Sequence, residues 1–204
     1  RQETWHGIDA GRSDPISAGG PADAWADNAL HAPVMLVADG ERLMPVTRRV
    51  PFGAWLGEPQ LIGRPASRQD LDYHLTTLFP PIRPRGYVEI RCIDAMPDRW
   101  WPAMAAMAVT LIDDPVAADA AAELCEPVAG EWETAARRGL ADPALRVAVT
   151  ACGEVAARRC PAPLRADVEA LVELLSSGRS LSSELGARIR RTSPLQVLEE
   201  EARA

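Results

Sequence analysis

The chain contains no lysine. All 22 of its basic residues are arginine. A lysine nucleophile or a lysine Schiff base is therefore excluded from this segment. Together with the abundant alanine, this bias reads as the mark of a GC-rich genome. Histidine is scarce, with three residues, and none of the four cysteines (Cys92, Cys125, Cys152 and Cys160) forms a C-x-x-C pair. A structural zinc site is not expected from such a set. The chain is too long and too helical for a disulfide scaffold, so its thiols are expected reduced, in a cytoplasmic protein, as small buried hydrophobes. Long apolar runs are also missing. The longest uncharged one, Trp100 to Ile112, is too short to span a bilayer, so no membrane partner is expected. The first residues, Arg1-Gln2-Glu3-Thr4-Trp5, carry neither a signal peptide nor an initiator Met, which reads as a fragment or a processed chain. Nor is there an excess of positive charge: 29 acidic residues leave a net charge of −7. That argues against a general nucleic-acid binder, which needs a basic patch to neutralise phosphates. Walker-type loops, G-x-G-x-x-G, H-E-x-x-H and G-x-S-x-G are all absent.

What is present divides in two. The 204 residues suffice for one large domain or two small ones. Residues 1 to 21, rich in Gly, Asp, Ser and Pro, read as loop. A short helix is expected over 22–30, and β-rich runs over 34–37 and 42–46 flank an Asp39-Gly40 hairpin signal. A short helix begins near Pro51. Ser67 can cap a helix from Arg68 to about Leu78, stopped by Pro80-Pro81. Tyr87 to Asp94 reads as a strand. After Pro97 the pattern becomes helical, with segments at about 100–113, 115–125, 129–139, 143–159, 164–176, 180–190 and 194–203. Asp114-Pro115, Asp142-Pro143 and Ser193-Pro194 each place a capping residue before a proline at the first helical position. Trp100, Trp101, Met104, Met107, Leu111 and Ile112 recur at helical spacing and read as core. The fold class is therefore α+β: part of an antiparallel sheet, then an all-helical C-terminal region, with 1–97 mixed and 98–204 helical. Three short strands make a poor sheet alone. They call for strands from elsewhere.

The strand Tyr87-Val88-Glu89-Ile90-Arg91-Cys92 carries the most pointed chemistry. Alternation puts Glu89 and Arg91 on one face and sends Val88, Ile90 and Cys92 to the other, toward a core. Side by side, a carboxylate and a guanidinium make either a surface ion pair or a metal ligand beside a phosphate clamp. Arg83 and Arg85 lie in a proline-stiffened connection leading into that strand. They can meet a phosphate or a substrate carboxylate, or be solvated. His74, on an apolar helix face, reads as a structural histidine.

Four pieces follow in order: Arg1-x-x-x-Trp5, then Asp9-x-x-Arg12, then His74-Leu75-Thr76-Thr77-x-Phe79-Pro80-x-x-Arg83, then Tyr87-x-Glu89-x-Arg91-x-x-Asp94. This series resembles the glutamate–cysteine ligases, in the branch shared by plants and many bacteria, whose actinobacterial members serve ergothioneine synthesis. The resemblance is carried by motifs from Arg1 to about Trp101 and continues more loosely as a helical tail. It implies a curved antiparallel sheet in a glutamine-synthetase-like ligase architecture, with residues 1–204 as the C-terminal part of one catalytic domain. It implies ATP- and Mg²⁺-dependent ligation of the glutamate γ-carboxyl group to cysteine through a γ-glutamyl phosphate. By resemblance, Glu89 is a Mg²⁺ ligand, Arg91 the catalytic residue steadying the transferring phosphate, and Arg1 a substrate-carboxylate ligand. Arg83 and Arg85 are candidates for the same anionic pocket. The family is roughly twice as long as this chain, so the partner implied is an N-terminal half of the same protein, and the chain alone is expected to be inactive. Two other readings stand beside this one: a ligase joining glutamate to another amine, and a non-catalytic module that binds a partner.

Overall fold

The computed structural model describes residues 2–16, 19–40 and 42–203. They form two compact units that divide between residues 93 and 94. This is close to Pro97, where the sequence turns from mixed to helical.

The first unit opens with helix α1, Gln2–Ser13, interrupted at Asp9, whose φ of −158° and ψ of 94° are extended rather than helical. The reading of this region as loop is thus corrected. Gly7, Asp9 and Gly11 have low helix propensity and hide the signal. Long-range contact helps to hold the segment, since Phe79 N–H donates to the Arg12 carbonyl at 2.7 Å. Helix α2, Pro21–His31, starts with its proline at the first position, where the missing N–H costs nothing. Strands β1, Leu36–Asp39, and β2, Arg42–Pro45, pair antiparallel. Gly40, at φ +60°, supplies the left-handed turn between them. Helix α3 covers Phe52–Gly57. Helix α4, Arg68–Thr76, is held at its start by a reciprocal pair. Ser67 Oγ accepts from Asp70 N–H, and the Asp70 carboxylate accepts from Ser67 N–H at 2.8 Å.

Strands β3, Ile82–Pro84, and β4, Val88–Ile90, form a second antiparallel pair. The turn between them carries Gly86 at φ +78°. Two expectations change here. The strand expected over 87–94 is three residues long, and its partner lies in the stretch read as a connection. Prolines at 80, 81 and 84 masked that partner, because a proline in a strand is tolerated where its missing N–H leaves no ladder bond empty. The second change concerns polarity. Val88 and Cys92 are exposed rather than packed in a core, while Arg83 on the facing strand is buried. The charged face is the one turned inward, because Arg83 finds both a carboxylate and a backbone carbonyl there. The unit's apolar packing is supplied elsewhere, by Val34, Val50, Phe52 and Trp55 and by Ala29, Ala32 and Leu78. The Trp55 indole N–H is satisfied by the Arg64 carbonyl at 2.7 Å.

The second unit has helices as its only regular elements among the described residues. It comprises α5 (Trp101–Asp113), α6 (Pro115–Cys125), α7 (Trp132–Arg138), α8 (Pro143–Arg159), α9 (Arg165–Ser176), α10 (Leu181–Arg191) and α11 (Pro194–Glu201). The caps fall where the capping residues and prolines placed them. Asp114 accepts from Ala117 N–H, Asp142 from Ala144 and Leu145 N–H, and Ser193 from Gln196 N–H. Ala103 and Ala106 of α5, Ala156 and Ala157 of α8, and Val168, Leu171 and Leu175 of α9 form one core with Cys160. Small side chains on α5 and α8 let these helices approach closely. Trp100, Met104, Met107 and Leu111 pack against this core as expected. Trp101 and Ile112 do not: both are exposed. Of the cysteines, Cys152 and Cys160 are buried as expected, while Cys92 and Cys125 are exposed, which corrects the expectation for those two.

Candidate functional site

The β3–β4 ladder sets Arg83 directly across from Glu89. Arg83 Nε lies 2.8 Å and Nη2 2.7 Å from Glu89 Oε2, and Arg91 Nη1 lies 2.7 Å from Glu89 Oε1. One carboxylate is therefore shared by two guanidiniums. Arg83 is further fixed by donating from Nη1 to the Leu78 carbonyl at 2.9 Å. Its side chain is 8% exposed, against 19% for Arg91 and 25% for Glu89. Arg91 is thus the more accessible of the two cations. Behind it lies an aromatic stack. The Arg91 guanidinium sits 5.3 Å from the Phe79 ring centroid, and Phe79 stacks on Trp5 at 5.1 Å with the planes 28° apart. Gln2 of α1 reaches the Arg91 carbonyl from its side-chain amide at 3.4 Å.

Electrostatically this cluster carries one negative and two positive charges. Hydrogen bonds from Arg83 first, and from Arg91, hold the Glu89 carboxyl below the usual carboxylate range. Glu89 therefore stays ionised wherever the protein is folded near neutral pH. The surplus positive charge suits a phosphate or a carboxylate.

A second cluster in the same unit repeats the theme. Asp9, at the interruption of α1, accepts from Arg12 Nη1 at 2.6 Å and from Arg49 Nη2 at 3.1 Å. Arg12 also donates to the Pro33 carbonyl from Nε and Nη2, at 3.2 and 2.9 Å. Burial pulls the Arg12 guanidinium below its ordinary pKa. The extended backbone at Asp9 aims its carboxylate at both arginines. Arg49 carried no signal in the sequence, because its partner lies forty residues away.

The candidates named from the sequence divide accordingly. Arg83, Glu89 and Arg91 are brought together. Arg85 is exposed at the hairpin tip, apart from that carboxylate. Arg1 lies outside the described residues. His74 is buried on α4, where its Nε2–H donates to the Ala29 carbonyl at 2.9 Å and its ring stacks on Phe52. Phe79, Trp5 and Gln2 back the cluster; none of them stood out as a site residue in the sequence, although Trp5 and Phe79 belong to the motif series.

A Mg²⁺ ion at Glu89 finds a poor donor set among the described residues. Both oxygens of the single carboxylate are engaged by guanidiniums. Among the described residues, no group of three His, Cys, Asp or Glu side chains could hold a metal. Six oxygen ligands are the usual need of that ion. Likewise, no helix of the described residues is long and apolar enough to cross a membrane.

An arginine pair clamped on one carboxylate and backed by stacked rings is the kind of surface that an enzyme handling phosphate or carboxylate groups uses. Comparison with known proteins identifies the family. The family model for glutamate-cysteine ligase family 2 (GCS2) matches residues 1–203, and the chain belongs to that family. It is 45% identical over 193 residues to the glutamate–cysteine ligase EgtA of Mycolicibacterium smegmatis. It is 46% identical over 195 residues to the protein of the same name from Mycobacterium tuberculosis. Each alignment covers 93% of this chain but 45% of the relative. The chain thus spans less than half the length of the curated relatives it matches. No solved structure matches it.

Proposed function

We propose that this chain is part of an ATP- and Mg²⁺-dependent glutamate–cysteine ligase of ergothioneine or other low-molecular-weight thiol biosynthesis. The observation that carries the reading is the Arg83–Glu89–Arg91 cluster on a hairpin, inside a chain of this family. In the proposed reaction the glutamate γ-carboxylate attacks the terminal phosphorus of ATP and ADP departs. The cysteine amine then attacks the acyl phosphate, phosphate departs, and γ-glutamylcysteine remains. Neither step needs a protein nucleophile. Both need charge neutralisation and fixed geometry. Arg91, the more accessible guanidinium, is the group proposed to meet the transferring phosphoryl oxygens. Glu89 holds Arg91 in place, and Arg83 holds Glu89. Arg1 and Arg85 are proposed, with Arg83, for the anionic pocket that takes the substrate carboxylates.

Mg²⁺, when bound, would neutralise the ATP phosphates. Glu89 can serve it only as one ligand of a set that the other described His, Cys, Asp and Glu side chains do not complete, and no step above runs through the metal. The same shortage supports a complement from the N-terminal half of the same protein, in a glutamine-synthetase-like sheet that β3 and β4 would extend. Ile82, Tyr87 and Val88, exposed on this hairpin, suit such a covering.

The test is ATP-dependent coupling of glutamate with cysteine, followed as γ-glutamylcysteine and phosphate. Residues 1–204 alone are expected to give none, and a polypeptide of the relatives' full length is expected to be active. In that longer protein, Arg91→Ala should lower kcat by about 10²- to 10³-fold with folding intact. Activity of the isolated chain would overturn the need for the N-terminal half, and full activity of the Arg91 variant would overturn the assignment of the site.

A further inference from the structure

Two cysteines in the helical unit stand close together without any part in the site above. Cys125 is the last residue of α6, and Cys152 lies in the middle of α8. Their sulfurs are 3.6 Å apart, across 27 residues of sequence. Cys125 is exposed and Cys152 is buried. This pairing joins two elements that already pack on each other. A disulfide has sulfurs about 2.05 Å apart, so side-chain rotation must close only about 1.5 Å.

We propose that Cys125 and Cys152 form a redox-active dithiol that a small disulfide converts to an intramolecular disulfide, locking the end of α6 to α8. The exposed partner must react first. The Cys125 thiolate attacks one sulfur of R–S–S–R, giving a mixed disulfide and one RS⁻. Cys152 then loses its proton to solvent, attacks the Cys125 sulfur and expels the second RS⁻. Two thiols are oxidised, one external disulfide is reduced, and two RSH leave. The order of events is fixed by access. Burial, with the neighbouring Cys125 thiol, pushes the Cys152 thiol up to about 12. Cys152 is therefore a poor first nucleophile and acts because the mixed disulfide is held beside it.

The other two cysteines serve as internal controls. Cys160 is buried, with its thiol on the Ala157 carbonyl. Cys92 is exposed in the other unit. The inference does not depend on the ligase reading, because it concerns the thiols of residues 94–204 alone.

The experiment treats the 204-residue chain with 2-hydroxyethyl disulfide under native conditions and maps the products by peptide mass spectrometry. The expected result is a cross-linked peptide pair joining Cys125 to Cys152, reversed by dithiothreitol, while Cys92 takes up the reagent as a mixed disulfide. In Cys152→Ser the reagent should instead stay on Cys125. If that variant does not fold, the wild-type cross-link still decides the matter. A lasting mixed disulfide on Cys125 in the wild type would overturn the proposal, as would an unmodified Cys125 while Cys92 reacts.

Discussion

Arg83 stands opposite Glu89 in the β3–β4 ladder, with Nη2 2.7 Å from Glu89 Oε2, and the same guanidinium donates to the Leu78 carbonyl. One side chain therefore ties the hairpin to the end of the segment that follows α4. Among the described residues, the Arg91 guanidinium meets the carboxylate and a ring face. Arg83→Ala is thus expected to lower the melting temperature more than Arg91→Ala does. The loss strands a buried carbonyl as well as half of an ion pair. Thermal melts of the two variants check the ranking, and equal shifts would remove the structural role given to the Leu78 contact.

Gly153 of α8 lets Val172 of α9 come close. A Cβ built at Gly153 would lie 2.6 Å from Val172 Cγ2. Real side chains do not approach so closely, so Gly153→Ala must push Val172 or the helix aside. The expected cost is about 1–3 kcal/mol. Val172→Ala in the same chain should recover part of it by vacating the volume. A double-mutant cycle in urea measures this. Simple additivity of the two losses would mean that the helices move apart instead.

These contacts show what the sequence could and could not reveal. The helices of residues 101–201 were legible because capping residues and prolines act locally: Asp114, Asp142 and Ser193 cap the helices they precede. Glu89 and Arg91 were legible as a same-face pair because strand alternation is local too. The hairpin partner was not, since Ile82-Arg83-Pro84 looks like a connection until Glu89 is placed across from Arg83. Alternation also could not say which face turns inward, and here the charged one does. The α1 helix was hidden for a related reason. Its weak local propensity is offset by the contact of Arg12 with Phe79, which lies far along the chain.

Asp70 does two tasks at the start of α4. It completes the capping box with Ser67 and accepts from both terminal nitrogens of Arg64, at 2.6 and 2.7 Å. The Arg64 guanidinium, ahead of the hydrogen bonds from Ser67, holds this carboxyl well below the usual range against the opposing effect of burial. Asp70→Ala removes the cap and the charge together, and a loss of about 2–4 kcal/mol is expected. Asp70→Asn keeps an acceptor for Ser67 N–H and should lose less. Chemical denaturation of both variants tests the division, and an equal loss would place the whole effect on the charge.

His74 gives the unit of residues 2–93 a dependence on pH whose sign is fixed by its surroundings. A carbonyl can only accept, so Nε2 carries the proton that points at Ala29. Nδ1 is buried, with no hydrogen-bond partner among the described residues. A second proton would have to go there, into an environment that offers it no acceptor. Burial accordingly pulls the His74 pKa below its ordinary value of 6.5, outweighing the hydrogen bond to Ala29, and the nearby Arg12 charge adds to the effect. Above pH 6.5 the imidazole is neutral in both folded and unfolded chains, and the folded state keeps its full stability. Below it the unfolded chain takes up a proton that the folded chain refuses. Stability then falls as the pH drops, by up to about 1.4 kcal/mol per pH unit, until the folded pKa is reached. The measurement is the urea midpoint between about pH 7.5 and 5, in the wild type and in His74→Gln. The carboxylates and the other histidines contribute to both profiles and cancel in the difference. The wild type should lose stability more steeply than the variant over that window. Parallel profiles would show that His74 titrates alike in both states and that its burial does not govern its protonation.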